Sequence, residues 1–153
     1  MDRWWQRLAS VRELEFQAVS PADRCNWNGE GSGDVRVEQQ EAELLFHETG
    51  AWTPQGGRPI RFTNTYRWTR QTDRIRLEHL RFGADRPVYL FDLIEEGDRL
   101  RSHQAHPCGD DRYEASATTT DDGFELIWAI DGPNKQTRVT YRYRVTRNGS
   151  NDR

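Results

Sequence analysis

Ile60-Arg-Phe-Thr-Asn-Thr-Tyr-Arg-Trp68 carries the clearest structural pattern in the sequence. Apolar or aromatic residues at positions 60, 62, 66 and 68 alternate there with the polar residues Arg61, Thr63, Thr65 and Arg67. Successive side chains of a β-strand point to opposite faces of the sheet, so one face of this segment is largely aromatic and the other is polar. The stretch therefore predicts a β-strand with one face turned towards a core.

The same alternation extends in both directions from this stretch. It predicts strands at 11–19, 35–39, 44–48, 60–68, 75–82, 88–93, 100–106, 111–119, 124–130 and 137–145. Turn-forming residues separate the strands, for example at Thr49-Gly50, Glu96-Gly97 and Asp121-Asp122-Gly123. A series of about ten strands at this spacing is typical of β-sandwiches and β-barrels.

The arrangement of these strands favours a closed barrel. No helical pattern of useful length interrupts them, which excludes a parallel βαβ architecture and favours an antiparallel meander. Closure removes the exposed edges that such a sheet would otherwise present. We therefore predict an all-β fold, a closed antiparallel barrel of roughly 8–10 strands, which leaves room for one small ligand.

Two segments lie outside this strand pattern. A short helix is predicted from Asp2 to Ser10, because Trp4, Trp5 and Leu8 share one stripe, and we expect it to act as a lid. The glycine- and asparagine-rich stretch 26–33 is predicted to be a loop. We expect a single domain at 1–147, followed by a polar tail at 148–153.

The composition limits the classes of partner. Charged residues make up 31% of the 153 residues, yet six Trp, five Tyr and six Phe indicate a packed interior. The net charge is -3 and no basic tract occurs, so we expect neither nucleic acid nor an anionic membrane surface as a partner. Self-association into a homo-oligomer stays open.

Membrane insertion and export are not expected either. No run approaches the roughly 18 apolar residues of a membrane span, and the start Met1-Asp-Arg-Trp-Trp-Gln-Arg7 lacks the apolar core of a signal peptide. Two cysteines occur, Cys25 and Cys108, and a cytoplasmic location is the expectation.

Polar residues interrupt the apolar faces of several predicted strands. They are Glu48, Asn64, His79, Asp92, His106, Asp111 and Tyr113. Burying a polar group without a partner costs several kcal/mol, so a purely structural interior would avoid them. One interpretation is an aromatic-walled pocket with convergent polar groups. The alternative is that these residues sit at strand ends in water or satisfy one another in a buried network.

The densest group of reactive side chains is His106-Pro-Cys-Gly-Asp-Asp-Arg-Tyr113. Strand alternation places His106 and Cys108 on one face of the first strand, and Asp111 and Tyr113 on one face of the next. Each residue also has a structural interpretation, His106 as a hydrogen-bonded core histidine and Cys108 as an inert small hydrophobe. His103 faces away from His106, and neither Cys-x-x-Cys nor His-Glu-x-x-His occurs, so no metal site is expected.

Two classes of function follow from these residues. The first is binding of a small, partly apolar organic molecule, held by Tyr66, Trp68 and Trp128 and oriented by polar groups among Glu48, Asn64, His79, Asp92, Cys108 and Lys135. The second is a cofactor-free isomerase, cyclase or dehydratase. In that enzyme His106 moves a proton, Asp111 fixes its tautomer, and Tyr113 or Lys135 stabilises an oxyanion. We expect no cofactor, and haem binding through one histidine is a minor third alternative.

Several motifs together resemble a known family. They are Leu44-Leu-Phe-His-Glu-Thr-Gly50, Asn64-Thr-Tyr-Arg-Trp68, Cys108-x-x-Asp111-x-Tyr113, Trp128-x-x-x-Gly132-Pro133-x-Lys135 and Tyr141-Arg-Tyr-Arg144. Over nearly the whole chain they are similar to an uncharacterised calycin-type family labelled only as a domain of unknown function, number 6314. The family often has a histidine where this sequence has Asp92. The resemblance implies a lipocalin-like barrel in which Trp4 or Trp5 stacks near Arg142 or Arg144. It implies no activity.

Overall fold

A computed structural model describes residues 1–20, 28–103, 106–108, 111–133 and 136–145, with the backbone alone at 106–108 and 111. One helix precedes eleven strands in this part of the chain. The elements are α1 Asp2–Ala9, β1 Val11–Val19, β2 Gly29–Gln40, β3 Glu43–Pro54, β4 Ile60–Arg70, β5 Ile75–His79, β6 Val88–Glu96, β7 Arg99–Ser102, β8 His106–Cys108, β9 Asp111–Thr120, β10 Gly123–Asp131 and β11 Gln136–Val145.

Ten of the strands form a closed antiparallel barrel. Their order is β10-β11-β1-β2-β3-β4-β5-β6-β7-β9, and pairing of β9 with β10 closes the ring. The predicted fold class is thereby confirmed. Strand β8 pairs with the start of β9, whereas β7 pairs with its later part, so the strand predicted at 100–106 is interrupted.

The glycine-rich part of β2 corrects two predictions. Residues 29–33 belong to the strand rather than to a loop, and β3 continues through the turn predicted at Thr49-Gly50. Gly33 pairs directly with Gly50. A Cβ atom at either position would lie 2.2 Å from a backbone oxygen of the opposite strand. Glycine is therefore used here for close backbone contact between strands, not for a turn.

The helix covers one end of the barrel, which we call the closed end. Trp4, Trp5 and Leu8 are buried, and the Trp4 ring meets Phe124 of β10 edge to face at 5.7 Å. Asp2 lies in the first turn of the helix and forms an ion pair with Arg70. The helix lies over this end as expected of a lid, but its three apolar side chains are part of the hydrophobic core.

The opposite end, which we call the open end, is less tightly filled. Inward-facing residues near α1, such as Leu14, Leu44 and Leu100, are fully buried. Towards the open end, Phe16 and Phe62 pack against the core but remain partly exposed. The barrel interior is therefore solid beneath the helix and reaches solvent in part at the other end.

Candidate functional site

Glu48 is the central polar residue of the barrel interior. It lies on β3 between Val35 of β2 and Asn64 of β4, and 1% of its surface is exposed. The Tyr143 hydroxyl donates a hydrogen bond of 2.7 Å to Glu48 Oε2. Glu48 Oε1 is buried and has no hydrogen-bond partner among the described residues. One acceptor atom of the carboxyl group is thus left free inside the barrel.

Burial also changes the protonation of this group. It raises the pKa of Glu48 to about 8, and the interactions with Tyr143 and Asn64 oppose the rise only in part. The carboxyl group is therefore mostly neutral at pH 7, because a charged form would be poorly solvated there. A neutral carboxylic acid can both donate and accept a hydrogen bond.

A group of tyrosines surrounds the carboxyl group. Tyr141 and Tyr143 of β11 stack with ring centroids 5.6 Å apart, and the hydroxyl of Tyr66 interacts with that of Tyr141. Burial is the main cause that raises the pKa of Tyr66, Tyr141 and Tyr143, and nearby Glu48 adds to the effect. All three phenols therefore stay protonated and act as neutral hydrogen-bonding groups.

Trp128 and His79 extend this group towards the open end. The Trp128 ring contacts Phe91, Tyr141 and Tyr66 at centroid distances of 5.4, 5.9 and 6.2 Å, and its Nε1 is buried without a partner among the described residues. His79 stacks on Tyr66 at 4.6 Å. Burial and, to a lesser extent, Arg81 lower the pKa of His79, so its imidazole is neutral at pH 7.

The structure brings together some of the predicted site residues. Glu48, Asn64, Tyr66, His79 and Trp128 face the interior in one continuous region. Trp68 lies deeper, 1% exposed and in contact with Phe46, in the core near the closed end. Its Nε1 is also without a partner in the described part of the chain.

Asp92 does not face the interior, which corrects the prediction. The pairing of β5 with β6 shifts register at Leu77/Glu78, and Phe91 and Leu93 are the buried neighbours of Asp92. Asp92 forms ion pairs with Arg76 at 3.0 Å and with Arg74 at 3.5 Å on the outer side. Simple alternation from Val88 failed because the bulge reverses the inward and outward positions along β6.

The hairpin predicted to carry catalysis is described only in part. His106 pairs with Tyr113, and Cys108 pairs with Asp111. Tyr113 is partly buried against the core. The side chains of His106, Cys108 and Asp111, and the whole of Lys135, lie outside the described residues. The roles proposed for these four residues stay predictions.

Tyr141 and Tyr143 were not predicted as site residues, although Tyr143 bonds to Glu48 and Tyr141 stacks on Tyr143. The pattern Tyr141-Arg-Tyr-Arg144 holds a usable signal, because alternation places both tyrosines on the face opposite to the arginines. Arg142 and Arg144 form ion pairs on the outer surface with Glu125 and Glu13. Trp5 instead lies beside Arg70 of β4, 6.0 Å from ring centroid to guanidinium carbon, which corrects the stacking implied by the resemblance.

Three depressions lined by described residues lie outside this interior region. One, of about 560 Å³, crosses the outer face of β1, β2 and β11, a second, of about 1210 Å³, lies beside α1, and a third, of about 470 Å³, lies at the open end beside Val19 and Gly56. None of the three includes Glu48. Within the described residues, no group of three or more His, Cys, Asp or Glu side chains is arranged to hold a metal ion.

Comparison with known proteins identifies a family. The model of a "Family of unknown function (DUF6314)" matches residues 15–145, which span β1 to β11. The chain belongs to this family. The closed barrel of ten strands in this member fits a calycin-like fold. No curated protein and no solved structure matches the chain. In the described residues, no helix has the length and apolar character needed to cross a membrane.

Proposed function

We propose that this protein binds a small, partly apolar organic molecule in the open half of the barrel. The observation that carries the proposal is the buried carboxyl group of Glu48, which has one oxygen without a partner and lies inside an aromatic wall. Leaving a buried polar atom unpaired costs about 1–3 kcal/mol. A ligand that supplies the missing hydrogen bond would recover this energy.

The chemistry of the wall suggests the kind of ligand. Glu48 is mostly neutral at pH 7, so it favours an uncharged polar group over an ammonium or a carboxylate. The indole N–H of Trp128 offers a second hydrogen-bonding atom, and the rings around it suit a planar, apolar body. Binding requires the partly exposed aromatic side chains to shift, because they pack against the core when no ligand is present.

Native mass spectrometry of the protein purified from its own host is the first test. We expect a retained small molecule, whose affinity is then measured by calorimetry. Glu48→Leu should weaken binding about tenfold, since it removes a hydrogen bond of roughly 1–2 kcal/mol from a buried site. Glu114→Gln, an exposed position on β9, is the control and should bind normally. Unchanged affinity in Glu48→Leu would refute the proposal.

A cofactor-free enzyme is the second candidate. One observation favours it, since the pKa of about 8 places a carboxyl proton of Glu48 within range of transfer near neutral pH. His106→Ala and Glu48→Gln separate the candidates. An enzyme should lose turnover by roughly 10²–10⁴-fold in at least one variant while the ligand still binds. A binding protein should lose only affinity, by roughly 1 kcal/mol.

Several further expectations accompany this proposal. A cytoplasmic location, the absence of a nucleic-acid partner and a possible homo-oligomer rest on the sequence and stay predictions.

A further inference from the structure

Exposed arginines without an ion pair gather at the open end of the barrel. Away from it, ion pairs with carboxylates hold Arg67, Arg70, Arg74, Arg76, Arg99, Arg101, Arg142 and Arg144. Arg3, Arg7, Arg12 and Arg36 have no described carboxylate partner, but Arg7 and Arg12 donate to backbone carbonyl oxygens. At the open end the exposed arginines are Arg58, Arg61, Arg81, Arg86, Arg112 and Arg138. None of these open-end arginines is ion-paired to a carboxylate among the described residues. We call these six the rim arginines.

Exposed apolar side chains accompany the rim arginines. In the described part of the chain the large hydrophobic residues with exposed surfaces are Val19, Ile60 and Phe82, at 52%, 49% and 60%. All three lie at the open end. Val19 pairs with Arg138 across β1 and β11, and the Arg81 guanidinium lies 5.0 Å from the Phe82 ring centroid. Two of the three exposed apolar side chains thus have a cation beside them.

The turn between β5 and β6 holds Phe82 in this exposed position. The Leu80 N–H bonds to the carbonyl oxygen of Thr65 on β4, and the Gly83 N–H bonds back to that of Leu80. Gly83 adopts a φ of +97°, a conformation that favours glycine. The Arg86 N–H then bonds to the Gly83 carbonyl oxygen. Successive hydrogen bonds therefore fix the backbone that presents Phe82.

Among the residues with described side chains, the open end carries more arginines than carboxylates. The acidic residues there without a described ion pair are Glu30, Asp85, Glu114 and Asp131, four against the six rim arginines. The overall net charge of -3 does not show this local excess, because the antiparallel meander places alternate turns at opposite ends.

We propose that the open end docks on an anionic phospholipid surface. Apolar side chains set among cations are the features that bind a protein to a membrane interface, since the former enter the headgroup region and the latter pair with phosphate. The rim arginines come from the β3–β4 and β5–β6 connections and from the open-end parts of β4, β9 and β11, an arrangement that fits an extended charged surface better than one small anion. The proposal departs from the expectation, drawn from the sequence, of no anionic membrane partner. The sequence shows no basic tract, because folding alone brings these positions together.

Vesicle sedimentation tests the proposal with the intact chain. We expect binding to vesicles of phosphatidylcholine with 30–50% phosphatidylglycerol, little binding to phosphatidylcholine alone, and weaker binding at high salt. The double variant Arg81→Glu/Arg86→Glu should lower the vesicle partition constant at least about tenfold, because each basic residue near such a surface contributes about fivefold. Phe82→Ser should lower it as well, while leaving the salt dependence unchanged.

The matched control reverses the same number of charges away from the rim. Arg3→Glu/Arg36→Glu changes two exposed arginines on α1 and β2 and should bind vesicles within about threefold of the unmodified protein. Circular dichroism checks that every variant is folded. No binding to anionic vesicles, or equal loss in the control, would overturn the proposal. Binding to a single-stranded oligonucleotide but not to vesicles, lost in Arg81→Glu/Arg86→Glu, would also overturn it.

Discussion

At the scale of single residues, the carboxyl group of Glu48 links the stability of the protein to pH. The folded protein retains the Glu48 proton up to a pKa of about 8, whereas an unfolded glutamate releases it near pH 4.3. The stability from this proton is therefore fully present below about pH 4.3 and is lost as pH rises through 8. We expect the free energy of unfolding to fall between pH 5 and pH 8, by up to about 1.4 kcal/mol per pH unit.

Denaturant titrations across this range provide the measurement. Glu48→Gln has no proton to lose, so its unfolding free energy should change much less with pH than that of the unmodified protein. Glu114→Gln, which alters an exposed glutamate, should follow the unmodified protein. Parallel curves for Glu48→Gln and the unmodified protein would show that Glu48 does not bind a proton more tightly in the folded state.

Tyr143→Phe tests the hydrogen bond that holds this carboxyl group. The substitution removes the donor at 2.7 Å from Glu48 Oε2, while Oε1 already has no partner among the described residues, so we expect a loss of about 1–3 kcal/mol in unfolding free energy. In a Glu48→Leu background the same substitution should cost much less, because its acceptor is absent. An equal cost in both backgrounds would mean that the loss comes from packing rather than from this bond.

The sequence revealed part of this site and missed part. The sequence pointed to Glu48, Asn64 and Tyr66 because each lies at a regular two-residue interval on an apolar strand face. Glu48 and Asn64 interrupt such a face, and Tyr66 is a member of one. Tyr143 was missed because a tyrosine on an apolar face looks like ordinary core, and its partner is separated from it by 95 positions in the sequence. The side-chain contact between Glu48 of β3 and Tyr143 of β11 across the barrel depends on the closed topology, which no single segment contains.

At the scale of elements, the glycines of β2 allow two strands and one ring to approach each other. A Cβ on Gly31 would lie 2.5 Å from the Phe16 ring and 2.8 Å from the Ala51 carbonyl oxygen. We expect Gly31→Ala to destabilise the protein by about 1–3 kcal/mol, because overpacking displaces a ring and a strand. Thermal or denaturant unfolding measures the loss.

Ser32→Ala is the control for this substitution. It changes the next residue of the same strand, which is exposed, and should alter stability by less than about 0.5 kcal/mol. If Gly31→Ala proved equally mild, the contact between β2 and Phe16 would have to be looser than the structure indicates. The glycine and asparagine content of this stretch predicted a loop. That prediction was wrong, because the glycines make room for the nearby Phe16 and Ala51 rather than for a turn.

The bulge between β5 and β6 shows a second limit of pattern analysis. Counting by twos from Val88 predicted that Asp92 faces inward, and one register shift placed it outside with Arg76. The strand itself was still predicted, because its residues alternate on each side of the bulge. Which residues face inward was predicted wrongly beyond the bulge. A site residue that lies beyond a bulge is therefore harder to assign than the strand that carries it.

At the scale of the whole molecule, barrel closure and the difference between the two ends make one prediction about native-state hydrogen exchange. The sheet is closed by the pairing of β9 with β10, β10 with β11 and β11 with β1. Each strand of the described ring is thus hydrogen-bonded to both of its neighbours. Residues near α1, such as Leu44, Trp68 and Phe124, are also fully buried. Their amides should therefore exchange with free energies close to that of global unfolding, roughly 5–15 kcal/mol.

Amides near the open end should exchange sooner. Thr53 and Ile60 lie beside the turn that joins β3 to β4, where the side chains are partly or largely exposed, so local opening costs less there. Exchange measured residue by residue should rise from the helix towards the rim on every strand. Fast exchange confined to β9 and β10, with slow exchange elsewhere, would mean that the sheet opens at that pairing. The closed sheet would then not hold the interior site and the rim arginines together at one end of the barrel.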